Sequence, residues 1–161
     1  MATTAPPSPV DNLGALSEQD RGRKAAQLQF LAQQFRMTVF DVLHEKGTGH
    51  WGGAASAAEL LVSLYFDALN VRPEEPRWPG RDRLVVSKGH ASCMLYTVLA
   101  HRGYFPVDEL KTFRKLNSRL QGHERGRSLM ALKQRITPVF SGLLASPPAA
   151  CSAGRTPLVY V

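Results

Sequence analysis

The sequence predicts a helix-rich portion of a parallel-sheet α/β domain. Apolar residues recur at helical spacing through most of residues 17–69, and one short apolar run, Leu84-Val85-Val86, reads as a buried strand. That strand leads directly into Ser87-Lys88-Gly89-His90 and a new helical period, the strand, loop and helix succession from which α/β domains are built.

The elements follow in chain order. Ser17, with Asp20 three residues later, forms a capping signal, and Leu28, Leu31, Phe35, Val39 and Val42 then share one helical face, so a helix is expected to run to about Lys46. Gly47-Thr48-Gly49 stops it, because glycine takes the positive φ values that end helices and lets the backbone come close to a ligand. Ser56-Ala57-Ala58-Glu59 reads as a capping box that opens a second helix carrying Leu60, Leu61, Leu64, Tyr65 and Leu69. Pro73, Pro76, Pro79 and Gly80 break the pattern in a loop around Trp78 before the strand. Beyond it, Met94, Leu95, Val98 and Leu99 mark a third helix closed by Gly103, and Pro106 opens a fourth with Leu110 and Phe113. Past Gly122 the chain turns rich in Arg, Ser, Pro and Ala with no sustained amphipathic period. Residues 1–16 are accordingly expected to be a disordered leader and residues 124–161 a disordered tail.

Composition narrows the function. A chain of 161 residues is long enough for one domain with a real core, and no apolar stretch approaches the ~18 residues of a membrane span. The formal net charge of +7 raises the question of nucleic acid. Residues 1–123, however, hold 15 basic and 12 acidic side chains, and residues 124–161 hold five and one, so more than half of the excess belongs to the tail. A nucleic-acid-binding surface is not supported. Two cysteines, Cys93 in an apolar helical pattern and Cys151 in the tail, give neither metal-ligand spacing nor a disulfide framework, which fits a reducing cytoplasm.

Three histidines each follow a glycine at a loop, in Gly49-His50, Gly89-His90 and Gly122-His123. Glycine lets backbone amides approach a phosphate or polyol, and imidazole exchanges protons near neutral pH. Gly89-His90 lies where the strand passes into a helix, with Lys88 beside it. That arrangement either holds an anion on the helix dipole or merely begins the helix next to a solvated lysine. His44 and His101 read as solvated helix residues, and the sequence offers no metal-binding cluster, Ser/His/Asp order or Gly-x-x-x-x-Gly-Lys phosphate loop.

The runs Gly49-His50-Trp51-Gly52-Gly53-Ala54-Ala55-Ser56-Ala57-Ala58-Glu59, Arg81-Asp82-Arg83-Leu84-Val85-Val86-Ser87-Lys88-Gly89-His90-Ala91 and Leu120-Gln121-Gly122-His123 resemble three successive transketolase motifs, in their order and at their separations. The tryptophan after His50 and the short leader are similar to the N-terminal subunit of bacterial transketolases made as two chains. The resemblance implies that residues 17–123 are an incomplete N-terminal part of the thiamine-diphosphate-binding fold. It implies that His50 and His123 are catalytic residues reaching the hydroxyls of the donor and acceptor sugars, and that His90, Gly89, Lys88 and Gly53 lie by the cofactor's diphosphate. The cofactors implied are thiamine diphosphate and Mg2+; the implied partners are sugar phosphates, a C-terminal transketolase subunit and a second protomer, with no nucleic acid and no membrane. The family reaction, part of carbohydrate metabolism in the cytoplasm, moves a two-carbon ketol unit between sugar phosphates, and the cofactor supplies the carbanion chemistry.

The chain departs from that pattern in three places. Gly53 stands where many family members carry a small hydroxyl residue. The resemblance stops at His123, and the tail lacks the Gly-Asp-Gly and asparagine that supply magnesium ligands, so no residue of this chain is assigned to metal. The resemblance suggests a truncation or frame change after His123 as the expected cause: Met130 to Arg135 can be encoded so that a shifted frame reads Gly-Val-Glu-Thr-Thr, like the missing family segment. The chain alone is therefore expected to be inactive. The alternatives are a non-catalytic remnant that binds a partner through apolar helices, and a deoxyxylulose-phosphate synthase-like enzyme.

Overall fold

The computed structural model describes residues 17–122 and 158–160, so the leader, His123 and the rest of the tail lie outside the described residues. Helix α1 (Glu18–Lys46) begins on Ser17, whose hydroxyl accepts the Asp20 amide proton at 3.1 Å and donates to the Asp20 carboxylate at 2.6 Å. This is the capping signal of the sequence, realised as a reciprocal pair. Gly47 ends the helix in the left-handed conformation, with φ 63°, where a side chain is disfavoured.

A second helical stretch starts five residues earlier than the sequence implies. Helix α2 (Trp51–Ala55) follows His50 directly, and α3 (Ala58–Ser63) runs on into a wider π turn (Leu64–Ala68). The capping box read from Ser56 and Glu59 does not form. Ser56 sits in helical geometry at the end of α2, and its hydroxyl bonds Lys88 and the Gly53 carbonyl instead of the Glu59 amide. Glu59 is drawn to Arg36 of α1 at 2.5 Å, and this guanidinium holds its carboxyl below the ordinary carboxylate range. A long-range cation thus outcompetes the local cap.

The loop after α3 is pinned by Asp82, which accepts the Asn70 amide proton at 2.7 Å and donates its own amide to the Asn70 carbonyl at 3.0 Å. Arg72 covers the Trp78 ring at 4.0 Å. This turn delivers β1 (Arg83–Val85), one residue earlier than expected, and β1 leads through a 3-10 turn (Gly89–Ala91) into α4 (Ser92–Arg102), closed by Gly103 at φ 97°. The segment after Pro106 is a 3-10 helix (Val107–Thr112) rather than an α-helix, ending with the Phe113 amide bonded to the Leu110 carbonyl before Arg114 turns left-handed at φ 59°.

A three-residue strand, β2 (Leu158–Tyr160), pairs with β1 in parallel, with Arg83 opposite Leu158 and Val85 opposite Tyr160. The sequence places these residues in a structureless tail, so the expectation is amended at them. Val159 and Tyr160 are good strand formers, but a parallel partner is joined only through a long crossover and leaves no local turn signal to read.

The core centres on α4. Every residue from Ser92 to Ala100 is buried, which is the pattern of a helix covered on all sides rather than an amphipathic one. Phe35 and Val39 of α1 and Leu61 and Val62 of α3 bury fully in the same core. Desolvation pushes the Cys93 thiol in α4 up to about 12. The π turn is tied to both neighbouring helices: Lys24 of α1 bridges to Asp67, and Arg102 of α4 donates to the Tyr65 carbonyl at 3.0 Å. Among the described residues no helix is long and apolar enough to cross a membrane.

His101, read from the sequence as solvated, is exposed, and one face of its ring lies against the Phe35 ring with centroids 4.5 Å apart. Truncating this buried ring, as Phe35→Ala, should cost about 3–5 kcal/mol in denaturant unfolding.

Partial desolvation beside α1 lowers the His101 pKa from its ordinary 6.5, because it disfavours the imidazolium. Below that value the unfolded chain binds more protons than the folded one. The histidine's contribution is therefore complete above the unfolded pKa and declines as pH falls through it. The thermal midpoint should drop between about pH 7.5 and about pH 5.5, and His101→Leu should flatten that slope.

Candidate functional site

Three glycine-bearing turns meet at the end of the helical layer where α1 stops and α4 starts. The first follows from Gly47, whose left-handed φ reverses the chain at the end of α1, and from Gly49 at φ 148°, where an added Cβ would also press on Leu43 at 2.3 Å. The reversal leaves His50 as the residue that opens α2. The second turn, residues 88–91, is set by the end of β1 and the start of α4. Its His90 ring stacks on the His50 ring, with centroids 4.1 Å apart and planes inclined by 22°.

That stack depends on an absent side chain. A Cβ at Gly53 would lie 2.6 Å from the His90 Cβ and 3.0 Å from the His90 carbonyl oxygen, so only glycine lets α2 approach the His90 turn this closely. The hydroxyl residue common at this position in the resembling family would not fit without displacing backbone.

Lys88 is held in place by a short relay. Its ammonium donates to the Ser56 hydroxyl at 2.6 Å, and that hydroxyl donates to the Gly53 carbonyl at 3.2 Å. The cation therefore sits over the end of α2 beside the start of α4, whose N-terminal amides and dipole favour an anion.

The third turn joins through Gly122. Ser92, the first residue of α4, donates its hydroxyl proton to the Gly122 carbonyl at 2.8 Å. The structure thus gathers His50, Gly53, Lys88, Gly89 and His90 at one end of the helical layer, and brings Gly122 to the same end. His123 itself lies outside the described residues.

Sequence reasoning missed Ser56, Ser92, Thr48 and Arg114 as side-chain links in this arrangement, where Arg114 donates to the Thr48 hydroxyl at 3.1 Å. Ser56 was legible only as a cap and Thr48 only as part of the turn that ends α1. Ser92 and Arg114 carry no local motif, and their partners are distant in sequence. Among the described residues no group of three or more His, Cys, Asp or Glu is placed to share a metal ion. Chemically, the cluster offers a fixed cation and a helix start for an anionic group, next to imidazoles that donate or accept protons.

Comparison with known proteins identifies the family and the fold. The family model for the thiamine diphosphate binding domain of transketolase matches residues 28–152, which carries the match past His123, where the sequence motifs end. Over 96 residues the chain is 42% identical to the 6-deoxy-6-sulfo-D-fructose transketolase subunit of Clostridium sp. (strain MSTE9), covering 60% of this chain and 35% of the relative. It is 36% identical over 135 residues to the Mus musculus transketolase, covering 83% of this chain and 21% of that protein. The solved transketolase from Leishmania mexicana superposes with a TM-score of 0.60 at 26% identity, over 71% of this chain and 17% of that one. The chain thus spans about a third of the first relative's length and about a fifth of the second's.

The Gly53 contact supplies a direct test of the site geometry. Gly53→Ser should destabilise the fold by about 1–3 kcal/mol through overpacking, and should move the His50 and His90 imidazole signals in carbon–proton correlation spectra. A variant of unchanged stability and unchanged imidazole signals would contradict the close approach.

Proposed function

The chain belongs to the transketolase family through its thiamine diphosphate binding domain, and from that premise we propose that it is the N-terminal portion of an enzyme transferring a two-carbon ketol unit between sugar phosphates. The observation that carries the reading is the meeting of the His50 and His90 turns over Gly53, with Lys88 tethered beside them.

The donor set fits a diphosphate. Lys88 and the Gly89 amide would hold its oxygens at the start of α4, with His90 alongside. When bound, thiamine diphosphate supplies the carbanion chemistry that side chains lack. The chain's own task is recognition and proton handling: His50 and His123 would bond sugar hydroxyls and hold or pass protons there, for which imidazole is suited near neutral pH. Magnesium would need hard oxygen ligands, and these are not gathered among the described residues.

Completion of the site falls to other chains, a C-terminal transketolase subunit and a second protomer, with the reaction in the cytoplasm. The Clostridium relative, itself a transketolase subunit, supports a divided enzyme. By itself the chain would be inactive. A second reading, a non-catalytic remnant that binds a partner, is favoured by the outer face of α1, where Phe30 is 66% exposed and Met37 59%.

Calorimetric titration with thiamine diphosphate and magnesium, on the purified chain with and without a C-terminal transketolase subunit, separates the two. Saturable binding in the mixture, with ketol transfer lost in His50→Ala, is the expected outcome. Association of the subunits with no cofactor binding would establish the remnant reading instead.

A further inference from the structure

Arg114 carries two features that its place in a surface loop does not explain. Its backbone is left-handed, with φ 59°, a region few residues other than glycine occupy and one that persists only where the surroundings impose it. Here they do: its amide donates to the Leu120 carbonyl at 2.8 Å, closing the loop that returns the chain to Gly122. The side chain then spans two turns that are remote in sequence. Its Nη1 donates to the Thr48 hydroxyl at 3.1 Å, and its Nε lies 3.1 Å from where a Cβ on Gly122 would stand.

We propose that Arg114 is a positioning residue that fixes the Gly47–Gly49 turn relative to Gly122, so that His50 is presented at a set distance from Gly122. A guanidinium suits this task. Its planar fork donates in a fixed direction from Nη1 to Thr48 while its Nε and Cδ lie close to Gly122. Ser92 anchors Gly122 to α4, and the His90 stack anchors His50 to the same helix start, but both of those contacts run through α4. Arg114 supplies the direct link. The left-handed φ follows, because it aims the side chain back toward Thr48 while the backbone amide closes on Leu120. The consequence for ketol transfer rests on the function proposed above; the positioning of His50 does not.

The test therefore begins on the purified chain without cofactor. In carbon–proton spectra of the histidine side chains, Arg114→Gln should move the His50 signals. Thr48→Val, which removes the same hydrogen bond from its other side, should move them in the same direction, and the double variant should move them no further than either single one. Arg114→Lys, which keeps a donor within reach of Thr48, should recover most of the displacement. Unmoved His50 signals, or fully additive shifts in the double variant, would overturn the proposal, even with a lowered melting temperature.

In the complex with a C-terminal subunit, Arg114→Gln should lower kcat about 10- to 100-fold, the scale of a misplaced catalytic group, with KM changed far less. A loss confined to KM would make Arg114 a substrate contact and overturn the positioning role. If the wild-type complex itself neither binds thiamine diphosphate nor transfers ketol units, the proposed function fails, and the spectra still decide what Arg114 does.

Discussion

The structure depends on the burial of α4. A helix whose residues from Ser92 to Ala100 are all buried cannot rest on one partner. It needs cover on each side, and α1, α3 and the segment after Pro106 all pack against it. Each buried large apolar side chain contributes about 1.5–3 kcal/mol relative to exposure, so Met94, Leu95, Val98 and Leu99 together outweigh any local preference in the elements around them. Their packing fixes where α4 begins. Its beginning, in turn, is the platform of the site: Gly89 and His90 precede it, Ser92 reaches Gly122, and the stack with His50 ties the end of α1 to it.

Close packing at that platform is decided by glycines used for two different reasons. Gly47 and Gly49 are required by backbone conformation, at φ 63° and 148°. Gly53 is required by space, since the carbonyl and Cβ of His90 occupy the volume a side chain would need. The difference matters for the electrostatics. Because Gly53 lets α2 come close, Ser56 stands within reach of Lys88 and directs this exposed ammonium to the start of α4.

Charge also explains where local rules give way. The sequence Ser56-Ala57-Ala58-Glu59 satisfies every requirement of a capping box, yet both side chains leave their backbone partners for cations from other elements, Lys88 and Arg36. Charge-assisted bonds are roughly twice as strong as neutral ones, and a helix that already continues from α2 has little need of a cap. His101 follows its local signal more closely: its polar neighbours along the helix suggest solvent, and it is exposed, with the ring of Phe35 from α1 against one face.

What the sequence by itself determined was everything with a short period or a close partner. The Ser17 cap, the glycine stops at Gly47 and Gly103, the apolar face of α1, the strand near Leu84 and the three glycine-histidine motifs all follow from residues within a few positions of one another. The family follows too, because its motifs are local runs. Only the tertiary structure decided the rest: that α4 is covered all round, that Gly53 abuts His90, that Ser56 serves Lys88, that Arg114 bridges Thr48 and Gly122, and that Leu158–Tyr160 lies parallel to Arg83–Val85. These contacts join residues whose separation along the chain carries no periodic signal. They arise because covering one fully buried helix forces distant turns to the same place, a constraint of volume that pattern alone does not express.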